Sequence, residues 1–448
     1  MSLELMPVEI IEEFGLDLQD IVNLQRVCQG MYLLIKDRAP RIFSLVTFTS
    51  KKFKTKKEFL TFVKGMRFWI GSLMNVKLEN IEYLPLFTRV HTLNLFHTDT
   101  RDVSSLGHVH TLNLSFNPVE DVSALTKVHT LNLRGTNVID VSCLGEVHTL
   151  NLSHTKVKEV NALGKVHTLD LCDTKVEDVS ALRQVHTLNL SETKVKDVSH
   201  LGKVHILNLS NTQVIDVSAL GNVHTLILSH TPVIDVNALG LVHTLDIYNT
   251  LVKDISHLGN VHTLNLSYTE VKDVSHLGRV HTLNLSSTQV KDVSALGKVH
   301  TLNLRGTRVE DVSALGQVHT LDLSYTRVKD VSCLGGVHSL NLTSTNVEDV
   351  SALGGVHTLN LSQTKVVNVS ALGQVHALNL SCTHVEDVSL LGGVHTLNLF
   401  GTKIKDVSAL GKVHNLDLSC THVEDISLLG GVRILNLSGT NQRCFRSW

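Results

Sequence analysis

Histidine stands at every nineteenth residue from His91 to His414, eighteen times in succession, and these account for eighteen of the 27 histidines in the 448-residue chain. A second row runs alongside, eleven residues further on in each repeat: sixteen aspartates between Asp102 and Asp425, with Glu159 and Asn368 in the two remaining places. Imidazole and carboxylate are the side chains of metal sites and proton relays, so both rows invite a chemical reading. Their uniformity argues against one. A zinc site needs ligands that converge and partners that orient them, whereas identical side chains at a single spacing run side by side. Stacking is therefore the favoured reading of the imidazole row. Crowded rings resist protonation, so acid of about pH 5 to 6 should loosen the structure. The acidic row is expected to cap turns, and neither a metal nor another cofactor is expected. The sequence offers no nucleophile–base pair, phosphate loop or metal triad, which predicts that the chain is not an enzyme.

A repeat positions these rows. The phrase VHTLNL starts at Val90 and returns every 19 residues until Val432 without insertion or deletion, giving eighteen full repeats and a partial one. The consensus V-H-T-L-N-L-S-x-T-x-V-x-D-V-S-A-L-G-x is apolar at positions 1, 4, 6, 11, 14 and 17. Alternation over positions 3 to 6 predicts one short strand per repeat. The eight residues after position 11 are too few for a crossover helix and leave room for turns or one 3₁₀ turn. Asp at 13 is placed to cap that turn, Gly at 18 to make the bend into the next strand, and Thr at 9 to run a hydroxyl ladder between coils. No repeat can bury six aliphatic side chains by itself, so stability must come from nearest neighbours. A weaker copy, with Met74, Val76, Ile81, Leu84 and Phe87 in register from Gly71, predicts a capping coil.

In its first eleven positions the repeat resembles the leucine-rich repeat L-x-x-L-x-L-x-x-N-x-L at every apolar place, over about four fifths of the chain. The following D-V-S-A-L-G resembles the corresponding segment of the internalin type. The resemblance implies a solenoid of parallel strands. One departure is that the usual Asn at position 9 is Thr in every repeat but that of Asn117.

Identical rows cannot distinguish one partner from another, so specificity is expected where repeats differ, at positions 8, 10, 12 and 19. The candidate partner contacts are Phe96, Phe116, Tyr248, Tyr268, Tyr325 and Phe400 at positions 7 and 8, all expected to be exposed, with Lys156, Lys175, Lys194, Arg308 and Arg327 at position 10. Lys158 and Lys196 join the lysines from position 12. Aromatic side chains and arginine are the favoured anchors of interfaces. The plainer alternative is that the lysines only solvate the edge. A further alternative makes the Thr and Asn rows of positions 3 and 5 a flat lattice of the kind that binds ice.

Residues 1–45 lack the period and read as short helices, over Val8 to Phe14 and roughly Leu18 to Ile35. Their Leu5-Met6-Pro7-Val8-Glu9-Ile10-Ile11, then Asp20-Ile21, Leu24, Val27 and Cys28, resemble the F-box pattern L-P-x-E-I-L … D-L-x-x-L-x-x-V-C-x-x-W. Met6 is inserted between Leu5 and Pro7, and Met31-Tyr32 stand where the family often has Trp. The resemblance implies that Leu5, Pro7, Ile10, Ile11, Ile21, Leu24 and Val27 form the surface that docks on the Skp-type adaptor of a cullin-RING ubiquitin ligase. The alternative is a helical cap on the first coil. The basic run from Lys51 to Lys57 reads as a nuclear address or a solvated linker. Long, near-identical arrays behind such a start also resemble those encoded by large DNA viruses of protists.

The expected organisation is α+β: an F-box-like helical module over 1–45, a basic linker and degenerate capping repeat over 46–89, and the solenoid over 90–448. The residues are 42% hydrophobic but only 4% aromatic, so the core has to be aliphatic. A net charge of −2 argues against nucleic acid and anionic membranes as partners. No apolar stretch reaches the length of a membrane span, and the first residues carry glutamates where a signal peptide is basic. The seven cysteines include no C-x-x-C pair, and the recurrent Asn-Leu-Ser would be glycosylated in the secretory pathway. These features predict an intracellular monomer, cytoplasmic or nuclear, in a host cell if the source is viral. The expected function is a non-catalytic substrate-recognition subunit of an SCF-type ubiquitin ligase that holds a protein substrate on its repeats. The alternative is a binding scaffold or inhibitor without a ligase role.

Overall fold

The computed structural model describes residues 91–440 and, for the backbone alone, Thr47–Phe48 and Ser72–Leu73. The F-box-like residues Leu5, Pro7, Ile10, Ile11, Ile21, Leu24 and Val27 and the basic run of 51–57 lie outside the described residues. The chain divides into a first unit ending at Lys175 and a second beginning at Val176.

Every described coil supplies one strand of three residues, positions 3 to 5. In the first unit these are Thr92–Asn94, Thr111–Asn113, Thr130–Asn132, Thr149–Asn151 and Thr168–Asp170. They pair in parallel, with Leu93, Leu112, Leu131, Leu150 and Leu169 opposite one another in turn. In the second unit the same register runs from Thr187–Asn189 to Ile434–Asn436, each leucine facing its equivalent. The hydrogen-bond ladder is longer than the strands. The N–H groups of positions 2 and 3 both donate to the carbonyl of position 2 in the coil before, as in His281 and Thr282 to His262. Beyond the strand, position 6 donates to position 5 of the next coil, as Leu285 does to Asn303 at 2.8 Å.

In the first unit two short strands precede the repeats: Thr47–Phe48 pairs with Ser72–Leu73, which pairs with Thr92 and Leu93. Leu73 rather than Met74 therefore stands opposite Leu93, one residue off the register expected from Gly71. One additional residue is accommodated before the strict period begins.

The alternating pattern buries the leucine of position 4 and leaves Thr 3 and Asn 5 half-buried on the outer face. The aliphatic residues of positions 1, 4, 6, 11, 14 and 17 are buried in coil after coil, at no more than 4% exposure up to Val423. In the last described coil Val432, Leu435 and Leu437 are half-buried.

Position 9 does not build the expected ladder between coils. Each Thr hydroxyl donates within its own coil to the carbonyl of position 6, as Thr269 does to Leu266 at 2.6 Å. The Thr98 hydroxyl also reaches the next coil, at 3.2 Å, because the longer Asn117 amide meets it there. Asn117 is the exception: its Nδ2 donates to the Leu95 carbonyl at 2.6 Å and its Oδ1 accepts the N–H groups of Thr98 and Thr100. Elsewhere the link between coils at this turn is backbone, from the N–H of position 8 to the carbonyl of position 7 in the next coil.

That turn is closed by the N–H of position 9 donating to the carbonyl of position 6, and its third residue is left-handed. Position 8 has φ between 52° and 70° throughout the described coils, including bulky Phe116, Tyr268 and Tyr325. Glycine fills it at Gly135, Gly306, Gly401 and Gly439. The position that varies most is thus also the one whose backbone is least comfortable for a side chain, at about 1–2 kcal/mol per non-glycine residue.

On the outer side Asp 13 performs its expected role. Its Oδ1 accepts the N–H of position 15, as Asp292 does from Ser294 at 2.9 Å, and Asn368 does the same at 3.0 Å. A 3₁₀ turn follows where position 16 is Ala, as in Ser294–Leu296 and Ser313–Leu315. Where it is His200, His257, His276, Leu390 or Leu428 the segment is a plain turn. Cys333 also lies in a 3₁₀ turn, whereas Ser105 and Cys143 stand in plain turns.

Gly 18, replaced by Thr126 and Arg183 in two coils, serves a different purpose from the one its sequence position suggests. Gly297 has φ −62°, an ordinary right-handed value. A Cβ there would instead collide with the Ala314 carbonyl of the next coil. Gly297→Ala should therefore destabilise the protein by about 1–3 kcal/mol through overpacking. Glu192→Gly, at a left-handed position with φ 60°, should stabilise by about 0.5 kcal/mol, the relieved strain exceeding the added chain entropy. Urea unfolding of the two variants checks both signs.

Candidate binding surface

The histidine row is built by the register. In the first unit the rings from His91 to His167 stack with centroids 4.5–4.7 Å apart and interplanar angles of 8–16°. In the second, His186 to His414 stack at 4.6–4.7 Å, the largest angle being 33° between His186 and His205. Where Thr follows, its Oγ1 lies 3.2–3.3 Å from the ring Nδ1, as in His262 and Thr263 or His300 and Thr301, which holds the ring across the strand direction. Face-to-face rings do not converge on a common point. Among the described residues no group of three or more His, Cys, Asp or Glu side chains could hold a metal ion.

Stacking perturbs the imidazoles. Burial by the flanking rings, and then repulsion from their charge, lowers the pKa of His110, His148, His262, His357 and His395. Where Ser stands at position 15, its N–H and hydroxyl also lower the aspartate of position 13, as at Asp292 and Asp311.

The variable positions form a border along the strand face. In the first unit Phe96 and Phe116, 44% and 45% exposed, meet edge to face at 5.7 Å. The Arg134 guanidinium lies 5.7 Å from the Phe116 ring and 3.1 Å from His154 Nε2, and His154 Nδ1 is 2.8 Å from Asp173 Oδ2. The result is a connected surface strip in which an arginine is held over an aromatic ring by a histidine that a carboxylate orients.

The second unit carries two comparable groups. Tyr248 stands between His230, at 4.9 Å, and Tyr268, at 5.3 Å, both contacts edge to face. Asn249 Nδ2 reaches His230 Nδ1 at 2.8 Å. Tyr268 is exposed, but Tyr248 is half-buried, contrary to expectation, because its two aromatic neighbours cover it. Further on, Arg305 stacks on Tyr325 at 4.3 Å. Phe400 is exposed, and its carbonyl accepts the Cys382 N–H at 2.8 Å.

At position 10, Lys156 and Lys175 are exposed on consecutive coils of the first unit, and Lys194 is exposed in the second. Arg308 and Arg327 are exposed on consecutive coils, and Arg327 lies 3.8 Å from Glu310. Lys165 pairs with Glu146 at 2.9 Å and Lys253 with Glu270 at 2.8 Å. Acidic neighbours thus interrupt these rows of basic side chains.

Sequence reasoning picked out the aromatic rings but missed Arg134 and Arg305, and with them His154 and His230. The available signal was an arginine at position 7 one coil away from an aromatic at position 8.

No protein-family model matches the chain, and none of the curated proteins does. Solved structures share its fold. The mouse RP105/MD-1 complex matches with TM-score 0.60 at 16% identity, over 83% of this chain and 79% of that one. A TLR13 complex with the single-stranded RNA ssRNA13 matches with TM-score 0.56 at 18% identity, over 80% of this chain and 67% of that one. A leucine-rich-repeat protein of Leptospira interrogans matches with TM-score 0.52 at 18% identity, over 80% of this chain and 98% of that one. The described coils therefore have the fold of a leucine-rich-repeat solenoid.

The imidazole row makes stability depend on pH. An unfolded imidazole titrates near pH 6.5, and His110, His148, His262, His357 and His395 lie lower, so the unfolded chain binds more protons as pH falls. The stacking contribution is complete above about pH 6.5 and is lost as pH falls towards the folded values, while the carboxylates of position 13 lose theirs only below about pH 4. The melting temperature should therefore drop between about pH 7.5 and 5.5. An unchanged value across that interval would show the row to be electrostatically silent.

Proposed function

We propose that the chain is a non-catalytic scaffold that holds a protein ligand along the border of positions 7, 8, 10 and 12, and that its F-box-like N-terminal segment docks on a Skp-type adaptor so that the ligand is ubiquitinated by other subunits. The observation that carries the scaffold reading is the grouping of exposed aromatic rings with arginine, Phe116 with Arg134 and Tyr325 with Arg305. Such pairs are preformed anchors, because each ring already fixes the guanidinium that lies over it. The ligase reading adds the sequence pattern from Leu5 to Cys28. Its physical content is tethering: an adaptor at one end raises the effective concentration of whatever the coils hold.

Net charge alone does not exclude nucleic acid, since one fold neighbour is a complex with single-stranded RNA. A protein ligand is favoured by the local pattern. A nucleic-acid track needs an uninterrupted basic groove, and here Glu270 and Glu310 sit among the lysines and arginines of positions 10 and 12. The uniform-lattice reading loses support for a similar reason. The Asn 5 side chains are occupied by their own turns, as Asn265 Oδ1 is by the N–H and hydroxyl of Ser267.

Size-exclusion co-elution of the full chain with a eukaryotic Skp-type adaptor, beside a chain starting at Val46, tests the ligase arm. A complex formed by the first and lost in the second is the expected result. No complex with the folded full chain leaves the scaffold reading alone. For any protein ligand that binds the coils, Tyr325→Ala and Arg305→Ala should each weaken binding by about tenfold or more, measured by titration calorimetry. Equal affinity in both variants would place the ligand elsewhere.

A further inference from the structure

The charges of the second unit are divided unequally between the two ends of its strands. After the strand, at positions 8, 10, 12 and 13, acids and bases are mixed, with Glu192, Glu270 and Glu310 among them. Before it the balance is one-sided. From Val179 to Leu435 no Asp or Glu stands at any of positions 14–19 or 1–4, whereas Arg183, Lys203, Arg279, Lys298, Lys412 and Arg433 do. The valine of position 1 is buried and extended, as at Val413 with φ −63° and ψ 135°, so positions 19 and 2 emerge on the same side. Arg279 and Lys298 are thus exposed beside the histidine row, whose rings are themselves exposed from His186 to His395. The carboxylates of neighbouring segments stand apart from the row. Asp246, Asp322 and Asp417 lie three residues further along their strands, about 10 Å away, and accept the N–H groups of Tyr248, Ser324 and Ser419. The aspartates of position 13 hold the outer turn, where Asp197, Asp254 and Asp273 face His200, His257 and His276 of position 16. The charges that act on His262, His357 and His395 are those of the flanking rings.

Protons taken up by this row meet like charge on either side, and the neutralising charge has to come from outside the chain. We infer that the edge formed by positions 19 and 2 in the second unit is a track for the phosphate backbone of a single-stranded nucleic acid, engaged as the row takes up protons. It is a second surface, apart from the border of positions 7, 8, 10 and 12 and independent of what that border holds. Uniformity selects the occupant. With Leu241 the single large apolar residue at position 19 of this unit, the edge lacks the varied anchors that a protein partner needs. A polymer with one anion per unit requires only repeated cations. A phosphodiester also keeps its charge across the whole range in which imidazoles gain theirs, whereas Asp and Glu begin to lose theirs towards about pH 5. A free strand can follow a row that keeps to one side of every coil, which the helical path of the phosphates in a duplex does not. The bases are left unread, because each imidazole face is already covered by the next ring at 4.6–4.7 Å.

Fluorescence anisotropy of a labelled thymidine decamer with the full-length chain at about pH 7.5 and 5.5 tests this, circular dichroism verifying that the protein is folded at both. Affinity should rise at least tenfold at the lower pH and fall steeply with added salt, and an adenosine decamer should bind alike. Arg279→Glu/Lys298→Glu, at a position where Glu146 occurs naturally, should remove most of that gain, and His281→Gln/His300→Gln should reduce it. Absence of binding, affinity independent of pH, or both variants binding as tightly as wild type at the lower pH overturns the inference. Polyglutamate competing as effectively as unlabelled decamer overturns the choice of phosphate. Binding of inorganic polyphosphate without binding of the decamer overturns nucleic acid in favour of a bare phosphate chain. Each of these outcomes leaves the scaffold reading of the opposite border as it stands.

Discussion

Parallel pairing in strict register, at a period of 19 residues, is the constraint on which the rest of this molecule depends. Each coil presents six aliphatic side chains to its neighbours and has no core of its own. A one-residue slip of a strand against its neighbour would turn its side chains to the opposite face. No residue is inserted from Val90 to Val432.

Register also places like beside like. Imidazole lies on imidazole at about 4.6 Å, and the pKa of His262 and His357 falls because the flanking rings desolvate and repel them. The same juxtaposition is productive where the side chains differ slightly. An Asn beside an Asp in neighbouring strands donates to it, as Asn265 does to Asp246 at 3.1 Å and Asn341 to Asp322 at 3.2 Å. Polar rows on the strand face are thus largely occupied by the fold. Aromatic and arginine side chains stand instead on the border where the strands end.

That border has its own constraint. The turn after each strand needs a left-handed residue at position 8, yet the chain places Phe116, Tyr268 and Tyr325 there as readily as glycine. Stability summed over many identical interfaces can carry such strain. The left-handed backbone is also what turns these rings outward to meet Arg134, Tyr248 and Arg305 from adjacent coils.

The sequence by itself determined the period, the strand in each coil, the aliphatic core, the role of Asp 13 and the stacking of the histidines, because all of these follow from spacing along the chain and from each residue facing its own copy. It could not reveal what depends on contacts between unlike residues in neighbouring coils. Thr 9 turned inward to its own coil while Asn117 alone bridged, because only the amide is long enough. Gly 18 proved to serve close approach to the next carbonyl, not a left-handed bend, since its φ is ordinary. Tyr248 was covered by rings one coil away on either side. The arginine anchors were likewise decided only by tertiary structure, which sets position 7 beside position 8 across a gap of about twenty residues that no local pattern spans.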